Sequence, residues 1–152
     1  MNVTCTKIVV VTSSITINST DKVPEFTDIT DFVVEKVLDS GVKNGIVNVF
    51  SQHTTAAIVV QEMEPGFHQD VQELLSQMFP KESKYHHTLS PDHIEDKLPN
   101  GHSHMQHLFM GGSSTTIPVQ EAKILLGRYQ RIFIVELDRA RTRNVVVQVI
   151  GE

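Results

Sequence analysis

AKILLGRYQRIFIVELDRARTRNVVVQVIGE, Ala122 to Glu152, decides the fold. It holds three short apolar runs, Ile124 to Gly127, Ile132 to Leu137 and Val145 to Ile150, parted by glycine or charged residues. Runs this short and this rich in Val and Ile predict strands, because branched side chains lose little freedom on a pleated surface. Working outward, the same signature recurs at Thr115 to Val119, Ile58 to Val60 and Gly45 to Gln52. It recurs again at Thr6 to Asn18, which predicts one extended strand or a pair of strands broken near Ser13-Ser14. Between the strands the period changes to that of a helix. Ile29, Phe32, Val33, Val37 and Leu38 predict one, capped by Asp28 or Thr30 and stopped at Ser40-Gly41. Phe67, Val71, Leu74, Leu75, Met78 and Phe79 predict a second, opened by Glu64-Pro65 and closed by Pro80. A third is expected from about Asn100 to Met110, with Gly111-Gly112 as its stop. Many short strands with a few helices predict an α+β chain with a largely antiparallel sheet structure.

A chain of 152 residues fits one domain spanning 1–152 and can bury about 70% of the surface its unfolded form exposes. Cys5 is the single cysteine, so no disulfide framework exists, and the lone thiol suits a reducing compartment. The opening MNVTCTKIVVVTSS has one basic residue and only four consecutive apolar ones, unlike a signal peptide or membrane span. A cytoplasmic location is expected. The net charge of -5 argues against a broad nucleic-acid surface. The late cluster Arg128, Arg131, Arg139, Arg141 and Arg143 could still meet a small anion.

Chemistry concentrates in KYHHTLSPDHIEDKLPNGHSHMQHLFMGGSS, Lys84 to Ser114, which holds six of the eight histidines. Histidine is the commonest metal ligand and a ready anion contact, so the stretch suggests a metal or phosphate site over a merely polar loop. On a helix, His104 and His107 share a face and His102 points nearly the other way. If Gly101 to His104 were extended, His102 and His104 would project together. His53 lies between two strand signals beside Thr54, Thr55, Ala56 and Ala57, where hydroxyls could bind an oxyanion or fix the imidazole tautomer. A core histidine bonded to a carbonyl is the plain alternative. Glu62 ends the next strand and could share a site with His53 only if the chain bulges or turns near Thr54-Thr55. The run Gly111 to Thr116 has the composition of a phosphate cradle without the P-loop lysine, and a plain turn explains it as well. Asp70 and His68 read as solvated helix positions.

FSQHTTAAIVVQE, KYHHT, NGHSHMQHLFMGGSSTTIPV, LGRYQRIFIVELDRARTR and VVVQVIGE occur in an order that resembles the YjbQ family, from about Thr27 to the last residue. The resemblance implies a compact, β-sandwich-like α+β subunit that forms a homotrimer, with a histidine pocket at or near subunit boundaries. Carried onto this chain, the family's motifs fall on His53, Thr54, Thr55 and Ala56, on Glu62, on Tyr85 and His87, and on Ser103, His104 and Met105. They continue on Leu126-Gly127-Arg128-Tyr129-Gln130 and on Arg141 and Arg143. The chain departs from the family at Gln61, at Glu64 and at Arg128-Tyr129, which could alter the pocket wall. The alignment favours His53, His87 and His104, leaves His86, His93 and His107 replaceable, and puts His102 between.

The resemblance further implies an activity like that of a secondary thiamine-phosphate synthase, joining a pyrimidine pyrophosphate to a thiazole phosphate. On that reading His53, His87 and His104 hold a divalent metal, for which three imidazoles suit zinc, or hold phosphate directly. Glu62, His53 and Arg141 carry the catalytic roles. Thr54, Thr55, Ser113, Ser114, Gln130 and Arg143 contact substrate or phosphate. The rivals are a non-catalytic trimeric binder of metal or phosphometabolite, and a metal-dependent hydrolase of a small phosphate ester. For the arginines, ion pairs to Asp138 or Glu136 are the plain alternative.

Overall fold

The computed structural model describes residues 7–152 and contains two antiparallel sheets and four helices among them. Cys5 lies outside the described residues. The larger sheet has the order β1 (Val9–Asn18), β8 (Thr142–Gly151), β3 (Gly45–Ser51), β5 (Ser114–Gln120), β6 (Lys123–Ile124). The smaller one runs β2 (Glu25–Asp28), β7 (Gln130–Glu136), β4 (Ala56–Glu62). The helices are α1 (Thr30–Ser40), α2 (Pro65–Met78), α3 (His86–Leu89) and α4 (Gly101–Phe109). The expected α+β, largely antiparallel architecture with few helices is the one observed.

The strand alternation sets the layers. Val47 and Val49 of β3 and Val145, Val147 and Val149 of β8 are buried, and they meet Ile58, Ile132 and Ile134 of the smaller sheet and Val33 and Val37 of α1. A second cluster, Ala57, Leu75, Phe133, Val135 and Leu137, lies on the other side of β7. Strand β7 is therefore buried on both faces, which explains the uninterrupted apolar run of Ile132 to Val135. Where β3 meets β8, Gly45 pairs with Gly151. A Cβ on Gly45 would stand 2.0 Å from the Ile150 carbonyl oxygen, so the two backbones close only with glycine there.

Of the two readings of the first extended segment, the single strand is the one observed: β1 runs unbroken through Ser13-Ser14, because both residues stay in register with Val147 and Val146 of β8. Two details differ from expectation. The strand expected at Ile124 to Gly127 is only the two-residue β6. The loop before α4 carries the short turn α3, which was not expected. Helix α1 ends as expected, with Gly41 in the left-handed conformation at φ 71. Glu64 caps α2 by accepting from the amides of Gly66 and Phe67.

Candidate functional site

The turn between β3 and β4 moves the chain from one sheet to the other, and His53, Thr54 and Thr55 sit on that turn. The end of β7 and the start of β8 bring Arg141 and Arg143 beside them, and α4 supplies His104. Together with Gln52, Asp96 and Asn100, these residues line a cavity of about 260 Å³. His53, Thr54, Thr55, His104, Arg141 and Arg143 are all among the expected site residues, and the fold brings them around this one cavity.

The arginines are held rigidly. Arg143, only 5% exposed, donates from Nε and Nη2 to the two oxygens of buried Glu136, both at 2.5 Å, and from Nη2 to Thr55 Oγ1 at 2.9 Å. Arg141 donates from Nε to Asp138 at 2.8 Å and from Nη2 to Asp96. Nη1 of each guanidinium takes no part in these bonds. Asp96 also accepts two bonds from Arg139 Nη2, at 2.5 and 2.6 Å. Burial alone would raise the Asp96 carboxyl, but bonds from Arg139, the Leu98 amide and Arg141 bring it down to about 2. Three guanidiniums thus face Asp96, Asp138 and Glu136, so an anion here would be held by oriented N–H donors more than by excess charge.

His53 is fixed by the backbone. Its Nε2 accepts from the Asn144 amide at 2.8 Å, which puts the proton of the neutral ring on Nδ1. Burial and then Arg143 lower its pKa, with Arg141 adding to the effect and Glu136 opposing it. A neutral His53 therefore offers one N–H donor and no spare lone pair. His104 also has a lowered pKa, from burial first and then from His87. Its ring lies 4.4 Å from that of His87, which in turn lies 4.7 Å from His93. These three rings line an adjoining cavity of about 410 Å³ with Asp96 and Asn100.

Among the described residues, the expected zinc ligands His53, His87 and His104 are not grouped around one point. Zinc needs three or four converging donors. Among the described residues no three His, Cys, Asp or Glu side chains are so placed. His87 lies in the adjoining cavity and the Nε2 lone pair of His53 is already committed.

Other expected members lie elsewhere. Glu62 is at the far end of β4 from His53, roughly 20 Å of strand away, and pairs with Gln130 on β7. The turn near Thr54-Thr55 does occur, but it separates the two residues. Gln130 accepts from the Gly127 amide. Ser113 Oγ lies 3.3 Å from His107 Nε2, and Ser114 begins β5 against an apolar groove. The Gly111-Gly112-Ser113-Ser114 run is the plain turn, with both glycines at positive φ.

Helix α4 begins at Gly101, so His102 and His104 point apart. His102 is 4% exposed, and its Nε2 lies 3.2 Å from Ser103 Oγ. The start of α4 is pinned by Tyr85, whose side chain leaves no room for a Cβ on Gly101. His68 is half-buried and stacked on Phe26 at 4.1 Å. Asp96 and Asn100 are site residues that the sequence did not mark.

His53, His102, His104 and His107 all have lowered pKa values, with burial the first cause in each. The unfolded chain therefore takes up protons that the folded chain does not as pH falls below 6.5. We expect the melting temperature to drop between pH 7 and pH 5.5. Calorimetric scans in that window check it, and a flat or rising profile would contradict the assignment.

The fold and pocket define a class: a two-sheet α+β chain carrying a histidine-arginine cleft where the sheets diverge. The model of the UPF0047 protein YjbQ-like family matches residues 13–152, and the chain belongs to that family. A UPF0047 protein of Methanothermobacter thermautotrophicus is 37% identical over 84% of each chain. Among solved structures, a YbjQ-like protein of unknown function from Sulfolobus solfataricus P2 superposes with TM-score 0.85 at 35% identity, covering 96% of this chain and 100% of that one. A hypothetical protein from Aeropyrum pernix K1 gives TM-score 0.81 at 33% identity, covering 93% and 98%. No helix among the described residues is long and apolar enough to cross a membrane.

Proposed function

We propose that the cavity between His53 and Arg143 binds the phosphate end of a small phosphorylated metabolite, and that the chain is an enzyme of the thiamine-phosphate synthase type. The observation that carries the reading is the pair of carboxylate-anchored guanidiniums beside a His53 ring whose neutral form must donate from Nδ1. Fixed donors of this kind cost no reorganisation when charge develops on an oxygen. In the reaction, the thiazole nitrogen would attack the methylene carbon of the pyrimidine pyrophosphate. The carbon–oxygen bond breaks, and pyrophosphate leaves with the electron pair. That nitrogen already has its lone pair, so no proton need move, and the demand falls on positioning and on charge at the leaving group. Arg141, Arg143, His53 and the Thr54 and Thr55 hydroxyls suit that demand. Pyrophosphate release that needs both substrates supports the reading. Release without the thiazole would make the protein a hydrolase, and tight binding without turnover a carrier.

A homotrimer belongs to the same reading. On the outer face of the larger sheet, Val10, Ile150, Ile46 and Pro118 form one cross-strand row, and Val146 and Phe50 lie in another, with Ile46 and Phe50 exposed. An uncovered apolar sheet face favours contact with further copies. Light scattering at micromolar concentration should give three chain masses, and a single chain mass would refute the trimer.

A further inference from the structure

The cavity beyond His104 contains an anomaly that the phosphate end does not use. Asn100 is the N-cap residue of α4, a position where asparagine normally turns its side chain back to bond the helix amides. Here it makes no such bond. Its Nδ2 donates to Asp96 at 3.3 Å, and its Oδ1 is buried with no partner, although the residue is only 5% exposed. His93 Nε2 is likewise buried without a partner. Both residues line the 410 Å³ cavity with His87 and His104. Among the described residues the two other unpartnered buried side-chain atoms, Ser51 Oγ and His102 Nδ1, lie outside it. Buried polar groups are nearly always satisfied, so two orphans around one cavity point to a ligand that completes them.

The two cavities are neighbours that share Asp96, Asn100 and His104 in their walls. Resting on the phosphate reading above, we infer that Asn100 and His93 recognise a neutral N–H group, an aromatic amine or amide, on a planar ring at the other end of the bound phosphate ester. The polarity follows from the atoms. Asn100 Oδ1 can only accept, so the ligand must donate. The Asp96 carboxylate is already occupied by Arg139 and Arg141, whose charges disfavour an ammonium group. His93 Nε2 accepts or donates according to its tautomer and can meet either edge of an amide or an amino-substituted ring. The rings of His87, His93 and His104, 4.4 to 4.7 Å apart in succession, give a planar group flat surfaces to rest on.

The test uses the full-length protein, titration calorimetry and three probes: inorganic phosphate, 4-aminophenyl phosphate and 4-methylphenyl phosphate. The two esters differ only by an amino group in place of a methyl group. The parent protein should bind the amino ester about tenfold more tightly than the methyl ester, the worth of one buried hydrogen bond. Asn100→Leu and His93→Phe should each bring that ratio below about threefold. His93 does not line the phosphate cavity, so His93→Phe should bind inorganic phosphate as the parent does. The use of two variants on different segments keeps the test valid if one fails to fold. Equal binding of both esters by the parent, or a tenfold preference kept in both variants, would overturn the inference while leaving the phosphate site intact. No binding of inorganic phosphate or of either ester would overturn the phosphate reading and this inference with it.

Discussion

Replacing Arg143 with alanine is expected to destabilise the protein by about 3–5 kcal/mol, the usual cost of leaving one member of a buried ion pair alone. The orphan would be Glu136, 2% exposed, which spends its oxygens on Arg143, on the amides of Leu137 and Asp138 and on the Ser19 hydroxyl. Three weaker bonds cannot neutralise a buried carboxylate. The comparison with Arg141 sharpens the expectation. Arg141 is 31% exposed in its side chain, and Arg139 still pairs with Asp138 when it is gone. Arg141→Ala should therefore cost roughly 1–2 kcal/mol. Joint replacement of Arg143 and Glu136 by apolar residues should be milder than Arg143→Ala alone, since no charge is then stranded. Urea unfolding of these variants decides the matter, and an Arg143→Ala protein within about 1 kcal/mol of the parent would remove the ion pair from the account.

The second large effect concerns turnover. His104 lines both cavities, whereas His86 is exposed on α3 and His107 bonds to Ser113 away from them. On the proposed synthase reading, His104→Ala and His53→Ala should each lower pyrophosphate release by about 100-fold or more, the scale for losing one preorganised donor. His86→Ala and His107→Ala should stay within about threefold of the parent, a difference too small to mark a lost contact. Each variant's fold is to be confirmed by circular dichroism. Parent-like turnover in a folded His104→Ala protein would take this histidine out of the site.

The elements most legible in the sequence are those with a strong local period. The β7 and β8 runs, the helix from Ile29 to Leu38 with its glycine stop, and the Glu64-Pro65 opening of α2 all follow from spacing and capping. The cluster of His53, Thr54, Thr55, His104, Arg141 and Arg143 became legible only through the family resemblance, because its members come from three distant segments. Glu62 misled for a physical reason. It shares a strand with the site in sequence, yet β4 carries it to the opposite end of the smaller sheet. Asp96 and Asn100 were invisible for the converse reason. In sequence Asp96 is one of several acids in a polar loop, and its role comes from arginines 43 and 45 residues away. Asn100 marks only the approximate start of the expected helix in sequence, and the geometry shows that its carboxamide does not cap. His93, which the resemblance left replaceable, gains its interest from an unpartnered nitrogen that no sequence reports.

On the proposed reading, the cavity receives a phosphate through Arg141 and its neighbours. Titration of inorganic phosphate into the parent and Arg141→Ala proteins, with heat of binding as the readout, tests it most directly. One phosphate per chain is expected in the parent, with an affinity at least about tenfold weaker in the variant, the worth of a charge-assisted hydrogen bond. No binding by the parent, or equal binding by a folded Arg141→Ala protein, would contradict it.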